Sequence, residues 1–125
     1  MLDKNYVYAV VGASNDHTKY GYKVYKDLLD AGYTVVPINP SEKEIEGQTV
    51  YPTLTEAMEV NSISVVVTVV PPKITSKIMD EVLDLGIRFV WMQPGSEDEE
   101  SIQIAEESGI EVVSGSCIMI EKTKN

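Results

Sequence analysis

The sequence is poor in the groups on which catalytic and metal sites depend. It has 125 residues, among them one cysteine, Cys117, and one histidine, His17. A single cysteine excludes an internal disulfide, and no cysteine–histidine spacing of the kind that binds zinc is present. His17 is expected to be a solvated loop residue, and Cys117 a buried, inert thiol beside apolar residues. We therefore predict no catalytic residue and no metal site.

Basic residues and long apolar runs are scarce as well. Ten Lys and Arg residues stand against twenty Asp and Glu residues, and the formal net charge is −10. So acidic a chain is poorly suited to nucleic acid, whose binding depends on basic groups that contact phosphates. No apolar run approaches the roughly 18 residues of a membrane span, and the N-terminus lacks a signal-peptide pattern. With one cysteine, a cytoplasmic protein that binds neither nucleic acid nor a membrane is expected.

Two well-known phosphate-binding signatures are absent. The first glycine turn, Gly12-Ala13-Ser14, matches neither G-x-G-x-x-G nor G-x-x-x-x-G-K-[ST]. The second predicted strand ends in Asn39-Pro40, where a dinucleotide enzyme carries an acidic residue for the ribose diol. An NAD(P)- or other nucleotide-dependent enzyme is therefore the weaker of the functional alternatives.

What the sequence does contain is a regular alternation of strand-like and helix-like segments. Strands are predicted at 6–11, 33–40, 49–51, 62–70, 88–92 and 110–115, with helices at 21–31, 53–59, 75–85 and 96–109. The segment 62–70 is β-branched and apolar on both faces, which is typical of a central parallel strand. The pattern predicts an α/β fold, a doubly wound and mostly parallel sheet with helices on both faces. The length predicts one domain over residues 1–125.

Several local features accompany this prediction. Val65, Val66, Val67 and Val69 should be largely buried, and Pro37 should weaken strand pairing because it has no N–H.

Two helix starts and the end of the core are also predicted. The spacings T-x-x-E at 53–56 and S-x-x-E at 96–99 predict capping boxes. Met119 and Ile120 are expected to close the core.

Ligands of open doubly wound sheets bind outside the carboxyl ends of the strands. Here those ends are turns of small, rigid or amide-bearing residues: Gly12-Ala13-Ser14, Asn39-Pro40, Val70-Pro71-Pro72 and Gln93-Pro94-Gly95. A helix beginning near Tyr20 follows the first turn, and its N-terminal N–H groups and dipole suit a phosphate. Lys19 adds a cation beside that turn.

Each of these features has a purely structural alternative. The glycine turn can be a tight turn without a ligand, and Pro71-Pro72 can simply start a helix. Gln93 can either hydrogen-bond a ligand amide or cap a turn. The residues alone leave these alternatives open.

Five sequence blocks together resemble one known family. They read VVGAS…YGYKVYKDLLDAGYTVVPINP, VYPTL, VVPPKIT, FVWMQPGSEDEE and SCIMIE. In this order, over residues 6–121, they resemble the stand-alone CoA-binding domain family, itself similar to the N-terminal domain of the succinyl-CoA synthetase alpha subunit. The resemblance implies a Rossmann-like fold and coenzyme A as the ligand. Many family members carry an arginine where this chain has Lys19.

The resemblance also assigns positions. It implies that Gly12, Ala13 and Ser14 face the phosphates, that Asn39 and Pro40 border the nucleotide, and that Val70, Pro71 and Pro72 wall the cleft. A neutral Asn39-Pro40 suits coenzyme A, because its ribose carries a 3′-phosphate that an acidic residue would repel.

The function expected from this reading is binding of CoA or acyl-CoA without catalysis, as a carrier, regulator or partner subunit. A ligase of the synthetase type needs a phosphohistidine-bearing domain and a nucleotide-activating domain, and 125 residues leave no room for either. Besides the nucleotide-dependent enzyme, a ligand-free interaction domain that kept the fold stays open, since fold does not fix function.

Overall fold

The computed structural model describes residues 2–124. Its strands are β1 (Val7–Val11), β2 (Thr34–Ile38), β3 (Glu44–Ile45), β4 (Gln48–Thr49), β5 (Val65–Thr68), β6 (Phe89–Met92) and β7 (Glu111–Val113). Its helices are α1 (Tyr20–Asp30), α2 (Leu54–Met58), α3 (Pro72–Leu85), α4 (Glu99–Glu107) and α5 (Ile118–Glu121), followed by a 3₁₀ turn, Lys122–Lys124. The predicted alternation is confirmed, and β3 and α5 are additions to it.

The main sheet has five strands in the order β2-β1-β5-β6-β7, and every neighbouring pair is parallel. The chain runs outward from β1 to β2, then crosses back to β5 and continues outward on the other side. The strand order therefore reverses between β1 and β5, which is the place where ligands of doubly wound sheets bind. The predicted fold class is confirmed.

Helices cover both faces of the sheet and bury its alternating side chains. Val66 packs into the core beneath α2, α3 and α4, whereas Val65 and Val67 pack into the core on the α1 and α5 side. These three valines are buried as predicted, because β5 lies in the middle of the sheet. Val69 is only half-buried, because it lies past the end of β5.

The outer edge of β2 differs from the prediction. Pro37 pairs in register with Val10, and pairing continues to Ile38, so the expected weakening is wrong. The carbonyl of Pro37 accepts the N–H of Tyr51 (3.1 Å) on the side away from β1. In a parallel strand the N–H and C=O of one residue point to the same side. The missing N–H therefore faces the edge. Of the predicted strand at 49–51, Thr49 lies in β4, and Tyr51 makes one bridge to Ile38.

One of the two predicted caps is confirmed. The Thr53 hydroxyl accepts the N–H of Glu56 (3.1 Å) at the start of α2. At α4 the cap is Asp98, whose carboxylate accepts the N–H of Ser101 (3.0 Å). The cap predicted at Ser96 is wrong, because that side chain points into the interior.

The prediction that Met119 and Ile120 close the core is also corrected. Ile118 is fully buried, Met119 is half-buried, and Ile120 is 60% exposed. Since this segment is helical, successive side chains turn away from the core, and the prediction for Ile120 is wrong. Within residues 2–124, no helix combines the length and apolar character needed to cross a membrane.

Candidate functional site

The carboxyl ends of β1, β5 and β6 meet at one edge of the sheet, where most of the predicted site residues come together. The turn after β1 carries Gly12, and the segment after β5 carries Val69 and Val70. These two segments touch, because a Cβ built on Gly12 would overlap the carbonyl oxygen of Val69 and crowd the Val70 side chain. At the point where the strand order reverses, the backbone of the turn after β1 is thus in close contact with the segment after β5.

Gly12 has a structural role that the sequence analysis did not include. Its φ is +99°, in the region that favours glycine, and its N–H donates to the carbonyl of Ile38 (2.9 Å). A side chain at this position would disturb the fold itself. Replacing Gly12 is therefore unsuitable as a test of ligand binding.

Gly21 is a residue of this site that sequence analysis missed. A Cβ on Gly21 would overlap the carbonyl oxygen of Gly12, so α1 lies directly against the glycine turn. A glycine in the first turn of an amphipathic helix lowers helix stability. Its presence at position 21 was therefore the sequence feature that could have indicated a close packing contact. In dinucleotide-binding folds a glycine serves the same close packing of helix on strand.

The glycine turn and the start of α1 present unpaired backbone donors. Among residues 2–124, the N–H groups of Ala13, Ser14, Tyr20 and Gly21 make no hydrogen bond. The first turn of α1 contains no acidic residue, and Lys19 occupies its N-cap position without a capping side chain. Helix N-termini of this kind bind anions through their N–H groups and dipole.

The loop that joins the glycine turn to α1 is held by its own side chains and by the β3–β4 hairpin. The Asn15 N–H donates to the Glu42 carboxylate (2.6 Å), and its amide nitrogen donates to the Glu44 carbonyl (2.9 Å). Hydrogen bonds from the hydroxyl and N–H of Thr18 lower the pKa of Asp16.

The histidine of this loop is exposed, as expected, but it is not isolated. The His17 ring stacks on the Tyr22 ring with centroids 3.9 Å apart.

Asn39 joins the first turn to the second. Its amide nitrogen donates to the Ala13 carbonyl (2.8 Å), and its amide oxygen accepts the N–H of Ser41 (2.8 Å). Pro40, next to it, is exposed. Because both ends of the Asn39 amide are engaged, this residue positions the Gly12-Ala13-Ser14 turn.

The two prolines after β5 do start a helix. Pro71 is the N-cap residue of α3 and Pro72 is its first residue. Both are exposed, and with Val70 they also line a shallow depression of about 360 Å³ that extends to Pro94. Although Pro71 and Pro72 start this helix, their rings remain exposed at the wall of the cleft and can contact a ligand.

Gln93 is 4% exposed and caps a turn. Its amide oxygen accepts the N–H of Ile118 (2.7 Å), and its amide nitrogen donates to the sulfur of Cys117 (3.3 Å). The capping alternative is thus the one observed. Cys117 is half-buried, less than expected, because it lies at the start of α5 beside the cleft.

A buried hydroxyl network fixes the loop after β6. The Ser96 hydroxyl lies 2.8 Å from the Thr68 hydroxyl and donates to the Gln93 carbonyl (2.7 Å). Thr75 on α3 donates to the Ser96 carbonyl (2.7 Å). Thr68, Thr75 and Ser96 are almost fully buried. Sequence reasoning missed this network, since serine and threonine in isolation do not reveal their partners.

A cavity of about 320 Å³ lies beside the glycine turn. Its walls are formed by Tyr20, Val69, Pro94, Cys117, Met119 and Ile120, with Gln93 at its base. We call it the α5 cavity.

A larger depression, of about 490 Å³, lies at the opposite edge, around Ser64, Arg88 and Glu111 at the amino ends of the strands. It contains none of the predicted site residues. Within the described part of the chain, no three His, Cys, Asp or Glu side chains are grouped so as to hold a metal.

Comparison with protein families and curated proteins gives a consistent result. A family model described as a CoA binding domain matches residues 6–123. The alpha subunit of acetate–CoA ligase [ADP-forming] II from Pyrococcus furiosus is 29% identical over 126 residues, which covers 92% of this chain and 27% of that subunit.

Solved structures show the same relationship. A conserved hypothetical protein from Pyrococcus furiosus superposes with a TM-score of 0.87 and 40% identity, covering 93% of this chain and 98% of that one. The dinucleotide forming acetyl-coenzyme A synthetase 1 of Ca. Korarchaeum cryptofilum, in complex with phosphate and ADP, superposes with a TM-score of 0.75 and 30% identity, covering 86% of this chain and 25% of that one. This chain thus spans about a quarter of the length of both enzymes.

Proposed function

We propose that this chain, which belongs to the CoA binding domain family, binds coenzyme A or an acyl-CoA at the reversal point of its sheet and catalyses no reaction by itself. The observation that carries the proposal is the group of unpaired N–H donors at Ala13, Ser14, Tyr20 and Gly21, at the edge where such sheets bind ligands.

The phosphates of the ligand would lie against the Gly12-Ala13-Ser14 turn and the N-terminus of α1. The N–H groups there can donate to phosphate oxygens, and the helix dipole favours negative charge. Lys19 is exposed at the N-cap, so it can approach the phosphates without leaving a buried partner unpaired. Its ammonium would offset part of the repulsion from a chain of net charge −10.

The nucleotide would lie between the second turn and the segment after β5. Asn39 holds the first turn in place through the Ala13 carbonyl, and Pro40 offers an uncharged surface beside it. Val70, Pro71 and Pro72 would form the facing wall. With Gln93 engaged as a cap, its role toward the ligand would be to hold the cleft in shape.

The side chains near this site support binding without chemistry. The ring of His17 is stacked on Tyr22, and the thiol of Cys117 accepts a hydrogen bond from Gln93. Among residues 2–124, neither side chain is hydrogen-bonded to a group that would act as its general base.

The relatives point to a biological setting. Two of them are an acetate–CoA ligase subunit and an acetyl-coenzyme A synthetase, and this chain matches about a quarter of each. We therefore propose that residues 1–125 act as a CoA-binding domain in the cytoplasm, as a carrier, a regulator or a subunit that supplies CoA to a protein partner.

Calorimetric titration with CoA, NAD and ATP tests this function. CoA should bind more tightly than NAD or ATP, because the neutral Asn39-Pro40 stands at the end of β2, where a dinucleotide enzyme carries an acidic residue for the ribose diol. Tighter binding of NAD would support a dinucleotide enzyme instead, and the absence of binding by all three would support a ligand-free interaction domain.

A further inference from the structure

We propose that the α5 cavity takes the acyl chain of an apolar acyl-CoA thioester, so that the protein prefers such thioesters to free CoA. This inference rests on the proposed function. It goes further by assigning a ligand class to a cavity outside the glycine turn.

The walls of the cavity call for an apolar occupant. Tyr20, Val69, Pro94, Met119 and Ile120 present hydrocarbon or ring surface, and no charged residue in the described part of the chain lines the cavity. A carboxylate or other charged group would lose its hydration there without gaining a partner.

Gln93 and Cys117 also line the cavity, and neither residue alters this requirement for an apolar occupant. The amide of Gln93 is engaged with the Ile118 N–H and the Cys117 sulfur. Each end of that amide therefore already has one protein partner. The part of the ligand that enters can therefore be wholly apolar.

The cavity adjoins the proposed phosphate site through Tyr20 and Val69. Tyr20 lines the cavity and is also the first residue of α1, whose N-terminus faces the glycine turn. Val69 lines the cavity, and its carbonyl oxygen lies against Gly12. In an acyl-CoA the thioester lies at the far end of a flexible arm from the pyrophosphate. With the pyrophosphate at the turn, that arm can bring the acyl chain past Tyr20 and Val69 into the cavity.

The rim of the cavity adds a driving force. The side chains of Tyr20 and Ile120 are 63% and 60% exposed, large values for apolar residues. An acyl chain between them would remove apolar surface from water, whereas the thiol of free CoA would cover less of it.

The test is a calorimetric series with CoA, butanoyl-, hexanoyl- and octanoyl-CoA, with succinyl-CoA as a charged acyl group. Affinity should rise by about two- to fourfold per added methylene until the cavity is filled. Succinyl-CoA should bind no better than CoA, because none of the described residues that line the cavity carries a charge to pair with its carboxylate.

Two variants localise the effect. Ile120→Gln changes an exposed residue at the rim, and Ile104→Gln makes the same change at a 41% exposed isoleucine on α4, away from the cavity. The ratio of octanoyl-CoA to CoA affinity should fall in Ile120→Gln and stay at the wild-type value in Ile104→Gln.

Equal affinities for CoA and octanoyl-CoA in the wild type would overturn the inference and leave the proposed function standing. If no CoA species binds, both fail. Equal loss of chain-length preference in the two variants would also contradict the cavity assignment. The comparison of acyl-CoA affinities in the wild type does not depend on whether either variant folds.

Discussion

The carbonyl oxygen of Gly12 occupies the space that a side chain at Gly21 would need. Helix α1 therefore rests on the glycine turn with backbone against backbone. This packing places the first N–H groups of α1 beside those of the turn, where both sets can face one anion. The two glycines, nine positions apart, build the candidate site together.

Gly21→Ala should destabilise the protein by about 1–3 kcal/mol, because the added methyl group overpacks the contact with Gly12. The sign of this stability change shows whether the contact with Gly12 outweighs the higher helix propensity of alanine. In an unhindered helix the same substitution stabilises by roughly 0.5–1 kcal/mol. Urea unfolding measures the change, and Lys23→Ala, an exposed position of the same helix, serves as the control. A Gly21→Ala variant more stable than wild type would show that α1 can move away from the turn at little cost.

Much of the fold was predictable because burial leaves a periodic pattern in the sequence. The β-branched run around Val66 identified the central strand, and Thr53 with Glu56 identified the start of α2. Pro37 misled the prediction, because only the sheet order shows that its missing N–H faces the edge. Asp98 capped α4 in place of Ser96, two of whose partners, Thr68 on β5 and Thr75 on α3, are distant in sequence.

The candidate site was predictable in location more than in detail. Turns after strands can be read from the sequence, so the positions of Gly12, Asn39 and Pro71 at the ends of strands were predictable. The contacts that these residues make could not be read in the same way. That Asn39 binds the Ala13 carbonyl, or that Gln93 caps α5, depends on which loops the strand order brings together.

Lys19→Ala should weaken CoA binding by roughly two- to fivefold, because one exposed cation near the phosphates is lost. The effect should shrink in high salt, which screens exposed charges. Lys4→Ala is the matched control, since it removes the same charge at the amino end of β1, on the opposite edge of the sheet. Calorimetric titration at two salt concentrations measures both variants. Equal losses in the two would mean that net charge alone matters and that Lys19 is not near the phosphates.

Gln93→Leu should destabilise the protein by about 1–3 kcal/mol, because the Ile118 N–H would be left buried without its acceptor. The loss should be concentrated in α5, so amide hydrogen exchange at Ile118 should accelerate more than exchange in β5. Gln103→Leu is the control, since Gln103 on α4 is exposed and bonds only to Glu107. Unchanged exchange at Ile118 would show that the cap is not needed to hold α5.

The wild-type protein should hydrolyse no acyl-CoA, because within residues 2–124 neither His17 nor Cys117 is hydrogen-bonded to a base that would activate it. Thiol release from acetyl-CoA, followed with a chromogenic disulfide, measures this directly. Turnover above background that disappears in His17→Ala would contradict the proposed non-catalytic role.

Stability should fall at alkaline pH because of two tyrosines in the core. Burial raises the pKa of Tyr8 to about 12, and burial together with the Glu46 charge raises the pKa of Tyr25 to about 12. The unfolded chain releases these protons near its ordinary pKa of 10, so between about pH 10 and pH 12 the folded state binds more protons than the unfolded state. Their contribution to stability is complete below pH 10 and decreases through this window.

Each tyrosine should cost about 1 kcal/mol of unfolding free energy at pH 11. Urea unfolding at pH 9 and pH 11 measures the decrease. It should be smaller in Tyr8→Phe and in Tyr25→Phe than in wild type. The comparison uses the difference between the two pH values, because both phenols also donate hydrogen bonds that phenylalanine removes, to the Asp3 carbonyl and the Gln48 side chain. Tyr20→Phe, at an exposed position, should keep the wild-type difference. If Tyr8→Phe and Tyr25→Phe also keep it, ionisation of the two buried phenols is not what destabilises the fold at high pH.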